Sequence, residues 1–134
     1  MVIMMGSVSA MDEKLANLES LRWKNRVILV YASQASSAEN AANNLAELAE
    51  GVADRDISWF VIQGEKLVTN HAGNVDKSLR EQLLETYFNP VPASTEVILI
   101  GKDGGVKSRS SDLDLVATFN LIDQMPMRIQ EMQQ

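Results

Sequence analysis

Apolar and polar positions alternate along this chain with two different periods. Val27-Ile28-Leu29-Val30-Tyr31-Ala32 is an unbroken run of β-favouring residues, the pattern of a central strand covered on both faces. Ile57–Ile62 and Val97–Ile100 repeat that pattern. Between the first two runs, Ala38, Ala41, Ala42, Leu45, Leu48 and Ala49 recur at steps of three and four, which predicts a helix over 37–50. Ser36 and Glu39 have capping-box spacing at its start, and Gly51 reads as its terminator. The small alanines let this helix lie close against a sheet. Strand, helix and strand in this order form a right-handed parallel βαβ unit.

The rest of the chain follows the same logic. Gly64–Gly73 is a glycine-bounded polar loop with room for a short edge strand at Leu67-Val68-Thr69. Leu79, Leu83 and Tyr87 mark a second helix within Asp76–Phe88, which Pro90 and Pro92 do not allow to continue. Asp103-Gly104-Gly105 is a reverse-turn signal that joins Val97–Ile100 to Val106–Arg109 as an antiparallel hairpin. Ser110 or Ser111 then caps a last helix carrying Leu113, Val116, Phe119, Leu121 and Ile122, which breaks near Pro126. Upstream, Leu15, Leu18 and Leu21 indicate a short helical or turn-rich lead-in. A central mixed sheet of about four strands between helices on both faces buries all of these stripes, so the fold class is an α/β, three-layer α/β/α sandwich.

Composition narrows the function. A chain of 134 residues fits one core, placed at 15–134 after a leader at 1–14. Val8-Ser9-Ala10 has the small-residue spacing of a signal-peptidase site without a positive n-region, so a clipped signal sequence and a plain leader both remain open. Periplasmic or secreted and cytoplasmic locations stay equally open. The net charge of −6 argues against nucleic acid. The apolar runs are far shorter than the roughly 20 residues that span a bilayer. The chain has no cysteine, which excludes disulfides, thiolate nucleophiles and thiolate metal sites.

Each candidate residue carries a plain reading beside the chemical one. Ser36 and Ser37 serve as helix-start residues rather than nucleophiles, for lack of an activating base. His71 is a surface histidine, because no spaced ligands accompany it. Asp112 and Asp114 suit the first turn of the last helix. Gly101–Gly105 is a turn rather than a phosphate loop, since a strand follows it. Lys102, Lys107 and Arg109 offer a basic docking patch on an acidic protein. Trp23, beside Arg22, Lys24 and Arg26, plugs the end of the core, with ligand contact as the alternative. The tail Met125–Met132 packs on its own domain or on a second copy, and an edge strand is the other surface open to a homodimer.

Four separated phrases resemble a known family. They are Leu21-Arg22-Trp23-Lys24-Asn25-Arg26, Arg55-Asp56, Leu99–Lys107 with Arg109, and Ile122-Asp123-Gln124-Met125-Pro126-Met127-Arg128 with Glu131. Together they are similar to the domain of unknown function 4174 over about Leu15–Met132. The resemblance implies a thioredoxin-like domain, found in bacterial proteins that often look exported and in vertebrate matrix-associated and sushi-repeat proteins. It implies no established activity. The chain departs from catalytic thioredoxins, with no cysteine at the first βα turn, Ala32–Ser37, and no proline at Thr95 or Glu96.

The expected function is therefore a redox-inactive binding or structural module for a protein or small molecule, with no cofactor and no metal. The alternative is a ligand-handling enzyme or hydrolase working through carboxylates and arginines. Trp23, Arg26, Asp56, Lys102, Asp103, Lys107, Arg109, Asp123, Arg128 and Glu131 are the interaction or scaffold candidates. Arg109 and Arg128 are expected to pair with Asp123 and Glu131, because guanidinium donates two parallel bonds to a carboxylate.

Overall fold

The computed structural model describes residues 14–133. The leader read at 1–14 therefore lies outside the described residues except for Lys14. The three apolar runs form β1 (Arg26–Tyr31), β2 (Ile57–Gln63) and β4 (Glu96–Ile100). Together with β3 (Lys66–Thr69) and β5 (Val106–Ser110) they make a five-stranded sheet in the order β3-β2-β1-β4-β5. β1 pairs with β2 in parallel, Arg26 opposite Ile57, and with β4 antiparallel, Val27 opposite Ile100. The expected four strands thus become five. The short edge strand forms because Leu67 and Val68 find partners in Ile62 and Val61 even though the segment is half exposed.

The strand period of two sends alternate side chains to opposite faces. Ile28, Val30, Trp59, Val61, Val97 and Leu99 enter one core, which is covered by α1 (Ala35–Glu47), α2 (Ala49–Asp54) and α4 (Leu115–Asp123). Val27, Leu29, Phe60, Ile62, Ile98 and Ile100 enter the other, under α3 (Leu79–Tyr87) and the lead-in with its 3-10 turn at Glu19–Leu21. This is the three-layer arrangement. It explains why the central runs contain no polar alternation.

Several helix boundaries differ from the pattern-based expectation. Gln34 precedes α1 without a side-chain cap, so Ser36 and Ser37 sit inside the first turn. Gly51 does not stop the helix. The break falls at Leu48 (φ −103°, ψ 33°), and Gly51 lies within α2. Its role is clearance, because a Cβ there would stand 2.6 Å from Cε2 of Phe119, a ring held in place by Arg55 with its guanidinium carbon 4.2 Å from the centroid. Gly51→Ala should therefore lose more to this clash than it gains in helix propensity, and lower stability by about 1–3 kcal/mol. A denaturant midpoint equal to or above that of the parent would contradict the clash.

Asp114, not Ser110 or Ser111, caps α4, accepting from the Ala117 N–H at 3.1 Å. β5 continues through Ser110, so the chain is still extended where the serines would have to cap. Pro126 then opens a separate helix, α5 (Pro126–Met132), at the N-terminal position where a missing N–H costs nothing.

Candidate functional site

Most of the charged candidates meet at one end of the sheet. β1 starts with Arg26, β2 follows directly on Asp56, and β4 ends just before Lys102. Because β1 and β2 run parallel and β4 runs against them, these three residues lie together. Two backbone bonds fix the junction: Arg26 N–H donates to Asp56 O at 2.9 Å, and Trp23 N–H to Lys102 O at 2.6 Å. The turns that achieve this place two non-glycine residues in the left-handed region, Asp56 at φ 52° and Trp23 at φ 70°. Aspartate tolerates that conformation. For tryptophan it is unusual.

α5 supplies the remaining charges. Arg26 donates from Nη1 and Nη2 to the two oxygens of Glu131, each at 3.2 Å, and to Arg55 O at 3.0 Å. Lys102 Nζ lies 2.8 Å from both Glu131 Oε2 and Asp56 Oδ2. Arg128 Nε donates to Asp123 Oδ1 at 3.0 Å and Nη2 to Asp54 Oδ2 at 2.6 Å. Arg55 forks onto Asp123 at 3.0 and 2.9 Å. Arg128 Nη1 and Glu131 Oε1, 3.7 Å apart, join the two halves. Four cations (Arg26, Arg55, Lys102 and Arg128) face four carboxylates (Asp54, Asp56, Asp123 and Glu131), so the network sums to zero charge.

Burial makes these pairs consequential. The Arg26 side chain is 1% exposed, Arg128 6% and Lys102 9%. Met127, Ile129 and Met132 of α5 are exposed, so Arg128 and Glu131 attach this helix, and the methionines do not. Only Met125, just before α5, packs on the core as the tail was expected to.

The electrostatics follow from these contacts. The hydrogen bond from Arg55, supported by Arg128, holds Asp123 below the usual carboxylate range despite some desolvation. Burial pushes Glu131 upward, but Arg26 and Lys102 outweigh it and leave the group lowered. Burial likewise opposes the charged form of Lys102, and its bonds to Asp56 and Glu131 overcome this and raise it. A carboxylate with a lowered folded value stabilises above its unfolded value, about 4. That contribution disappears as pH falls through the folded value. Lysine runs the other way, contributing fully below about 10.4 and losing its part only in alkali. Denaturant midpoints should thus fall on acidification below about pH 4, and less steeply for Asp123→Asn. Equal pH slopes for parent and variant would remove Asp123 from the account.

The other candidates are placed differently from expectation. Trp23 is 59% exposed and does not plug the core; the Arg22 guanidinium carbon sits 5.5 Å from its ring centroid. Arg109 pairs with neither Asp123 nor Glu131. It lies on the edge strand β5 and donates to Glu96 Oε1 and Tyr87 O, each at 3.2 Å, on the α3 face. The basic patch does not form either, because Lys102 is buried, Lys107 is bound to Asp103 at 2.9 Å and Arg109 to Glu96. Asp103 also accepts from Gly105 N–H at 2.9 Å, and this bond, with Lys107, lowers its pKa. Arg55 and Asp54 were absent from the candidate residues. Their signal was the charged turn before β2, where Arg55-Asp56 already formed part of a family-like phrase.

His71 is half buried, and its backbone N–H donates to Thr69 Oγ1 at 3.0 Å. Among the described residues no group of three metal-ligating side chains occurs, and no helix is long and apolar enough to cross a membrane. The opposite end of β1, where Ala32–Ser37 leads into α1, carries the serines and no thiol.

Solved structures share this fold at low identity. The reduced 2-Cys peroxiredoxin of Plasmodium vivax superposes with a TM-score of 0.59 at 12% identity, covering 84% of each chain. The mitochondrial 2-Cys peroxiredoxin of Plasmodium falciparum gives 0.54 at 12%, covering 79% of this chain and 78% of that one. The exposed lipoprotein thioredoxin of Streptococcus pneumoniae gives 0.53 at 13%, covering 81% and 90%. No curated protein matches the sequence. The profile of a domain of unknown function, DUF4174, matches residues 17–131 and takes in every member of the charge network. This chain, thioredoxin-like in fold and free of cysteine, belongs to the DUF4174 family.

Proposed function

We propose that the protein is a redox-inactive binding module in which the charge network is a scaffold and not a catalytic centre. The observation that carries this reading is the mutual neutralisation of the eight network charges. A general acid or base needs a titratable group near the working pH that faces a reactant. Asp123 and Glu131 are instead held ionised by arginine and lysine, and they are occupied in fixing α5. The carboxylates on which a hydrolase would depend are thereby engaged. Thiol exchange has no nucleophile in a chain without cysteine.

Pure protein should consume peroxide and reduce insulin at the buffer rate. A rate that scales with protein concentration and survives removal of small molecules would overturn the reading.

A further inference from the structure

The helical layer on the side of the sheet away from α3 is charged with one sign only. Outside the network, α1, α2, α4 and the residues leading into α4 hold Glu39, Glu47, Glu50, Asp112 and Asp114, all exposed, and no lysine, arginine or histidine. The ion pairs of this layer all belong to the network, so these five carboxylates stay uncompensated among the described residues. Five carboxylates without a cation leave the layer at −5, close to the −6 of the whole chain.

This layer also contains a groove. Between the end of α1 and the start of α4 lies an open space of about 410 Å³, lined by Leu48, Leu113, Leu115 and Val116, with Glu47 and Asp114 among its polar positions. Leu48, where α1 gives way to α2, is 42% exposed, and Val116 on α4 is 68% exposed. Single exposed apolar side chains are ordinary on a protein surface. Here two of them, from different helices, share one groove with two carboxylates.

The charges restrict the occupant. A second copy seated through the same groove would bring two layers of −5 together, and an anionic lipid surface would meet the same repulsion. A partner bearing lysine or arginine is attracted instead. A small organic cation does not match the spread of charge, because Glu39 and Glu47 alone stand about 12 Å apart along α1 at 1.5 Å per residue. A polypeptide segment covers that span and offers side chains to the hydrocarbon of the groove at the same time.

We infer that this groove docks a basic, amphipathic segment of a partner protein, with its apolar face on Leu48, Leu113 and Val116 and its lysines or arginines against Glu47, Asp114 and the flanking carboxylates. This assignment deepens the binding-module reading and rests on it.

The test is selection on the immobilised full chain from a phage-displayed library of random peptides long enough for four helical turns. Selected peptides, made with a fluorophore, are then titrated by anisotropy and by amide chemical shifts. They should be rich in lysine and arginine, carry apolar residues at steps of three and four, and shift amides of 44–48 and 113–116. Val116→Ser should weaken their binding by about tenfold, the worth of one apolar side chain removed from water. Glu47→Gln should weaken it by about threefold at low salt and not at about 1 M, where charges are screened. Both side chains are exposed, so the variants should keep the parent's thermal midpoint and report on the surface rather than on the fold. Asp114 is left unchanged because it also caps α4.

No enrichment of any sequence, enrichment of acidic or uncharged sequences, or equal binding by the parent and Val116→Ser would overturn the assignment. So would a dimer that Val116→Ser dissociates, or cosedimentation with phosphatidylglycerol vesicles that Val116→Ser abolishes, since these give the groove to a second copy or to a lipid surface. A failed selection beside buffer-rate redox assays removes the docking groove alone, whereas protein-dependent turnover removes the module reading itself.

Discussion

Arg26→Ala should destabilise the protein by about 3–5 kcal/mol, the range for breaking a buried ion pair by removing one partner. The side chain is almost wholly enclosed, so water cannot replace what it loses. Its removal leaves Glu131 with Lys102 and the longer 3.7 Å contact to Arg128, and withdraws a donor from Arg55 O. It also opens a space where β1 meets β2, because Arg26 stands opposite Ile57 in the ladder. Denaturant unfolding with an unchanged m-value would measure the loss. A loss below about 1 kcal/mol would place Arg26 with ordinary surface pairs and remove the scaffold argument. Arg26→Met combined with Glu131→Leu should recover much of the stability, because replacing both partners by hydrocarbon leaves no charge uncompensated.

Arg128→Ala should cost somewhat less, about 2–4 kcal/mol. It removes bonds to Asp123, to the Asp54 carboxylate and to Asp54 O, the last at 2.9 Å. Two circumstances limit the damage. Asp54 is 65% exposed and regains water, and Asp123 keeps its fork with Arg55. Hydrogen exchange should show the loss concentrated in residues 126–132, since α5 has little buried apolar surface to hold it. A double-mutant cycle with Asp123→Ala should return a coupling of about 0.5–3 kcal/mol. Arg109→Ala is the exposed control, its pair with Glu96 being 47% and 31% accessible, and should lose less than about 1 kcal/mol. Equal losses for Arg109→Ala and Arg128→Ala would refute the distinction between the two arginines.

The parts of the fold that were legible in the sequence are those written in short-range pattern. The three central strands were legible because both of their faces are buried, which leaves Ser58, itself buried, as the one polar residue within the runs Val27–Ala32, Ile57–Ile62 and Val97–Ile100. β3 was nearly hidden, since a half-exposed edge of four residues needs few apolar positions. Gly51 misled because a glycine after an apolar stripe is the usual sign of a helix end, whereas here the chain bends at Leu48 and resumes a helix in which glycine makes room for Phe119.

The site was legible in its membership more than in its pairing. Six of the ten candidates, Arg26, Asp56, Lys102, Asp123, Arg128 and Glu131, converge in the network. The pairing of Arg128 with Asp123, five positions apart, was within reach of local reasoning. That of Arg26 with Glu131 was not, because charge patterns carry no information about which distant segment closes on a strand end. Arg109 was misassigned for the same reason: its place on the outer strand is a property of sheet order, and only the assembled sheet reveals it.

The bidentate contact between Arg26 and Glu131 spans 105 positions of sequence. During synthesis the first strand emerges early, and its arginine stays without its carboxylate until residue 131 has left the ribosome. Strands β1, β2 and β4 are then able to meet before their shared charged end is complete. A nascent chain halted before residue 131 carries an arginine that native packing would enclose without its counterion, so it favours an open, protease-sensitive form. Closure of the sheet end thus becomes a late step, tied to the order in which the polypeptide is made.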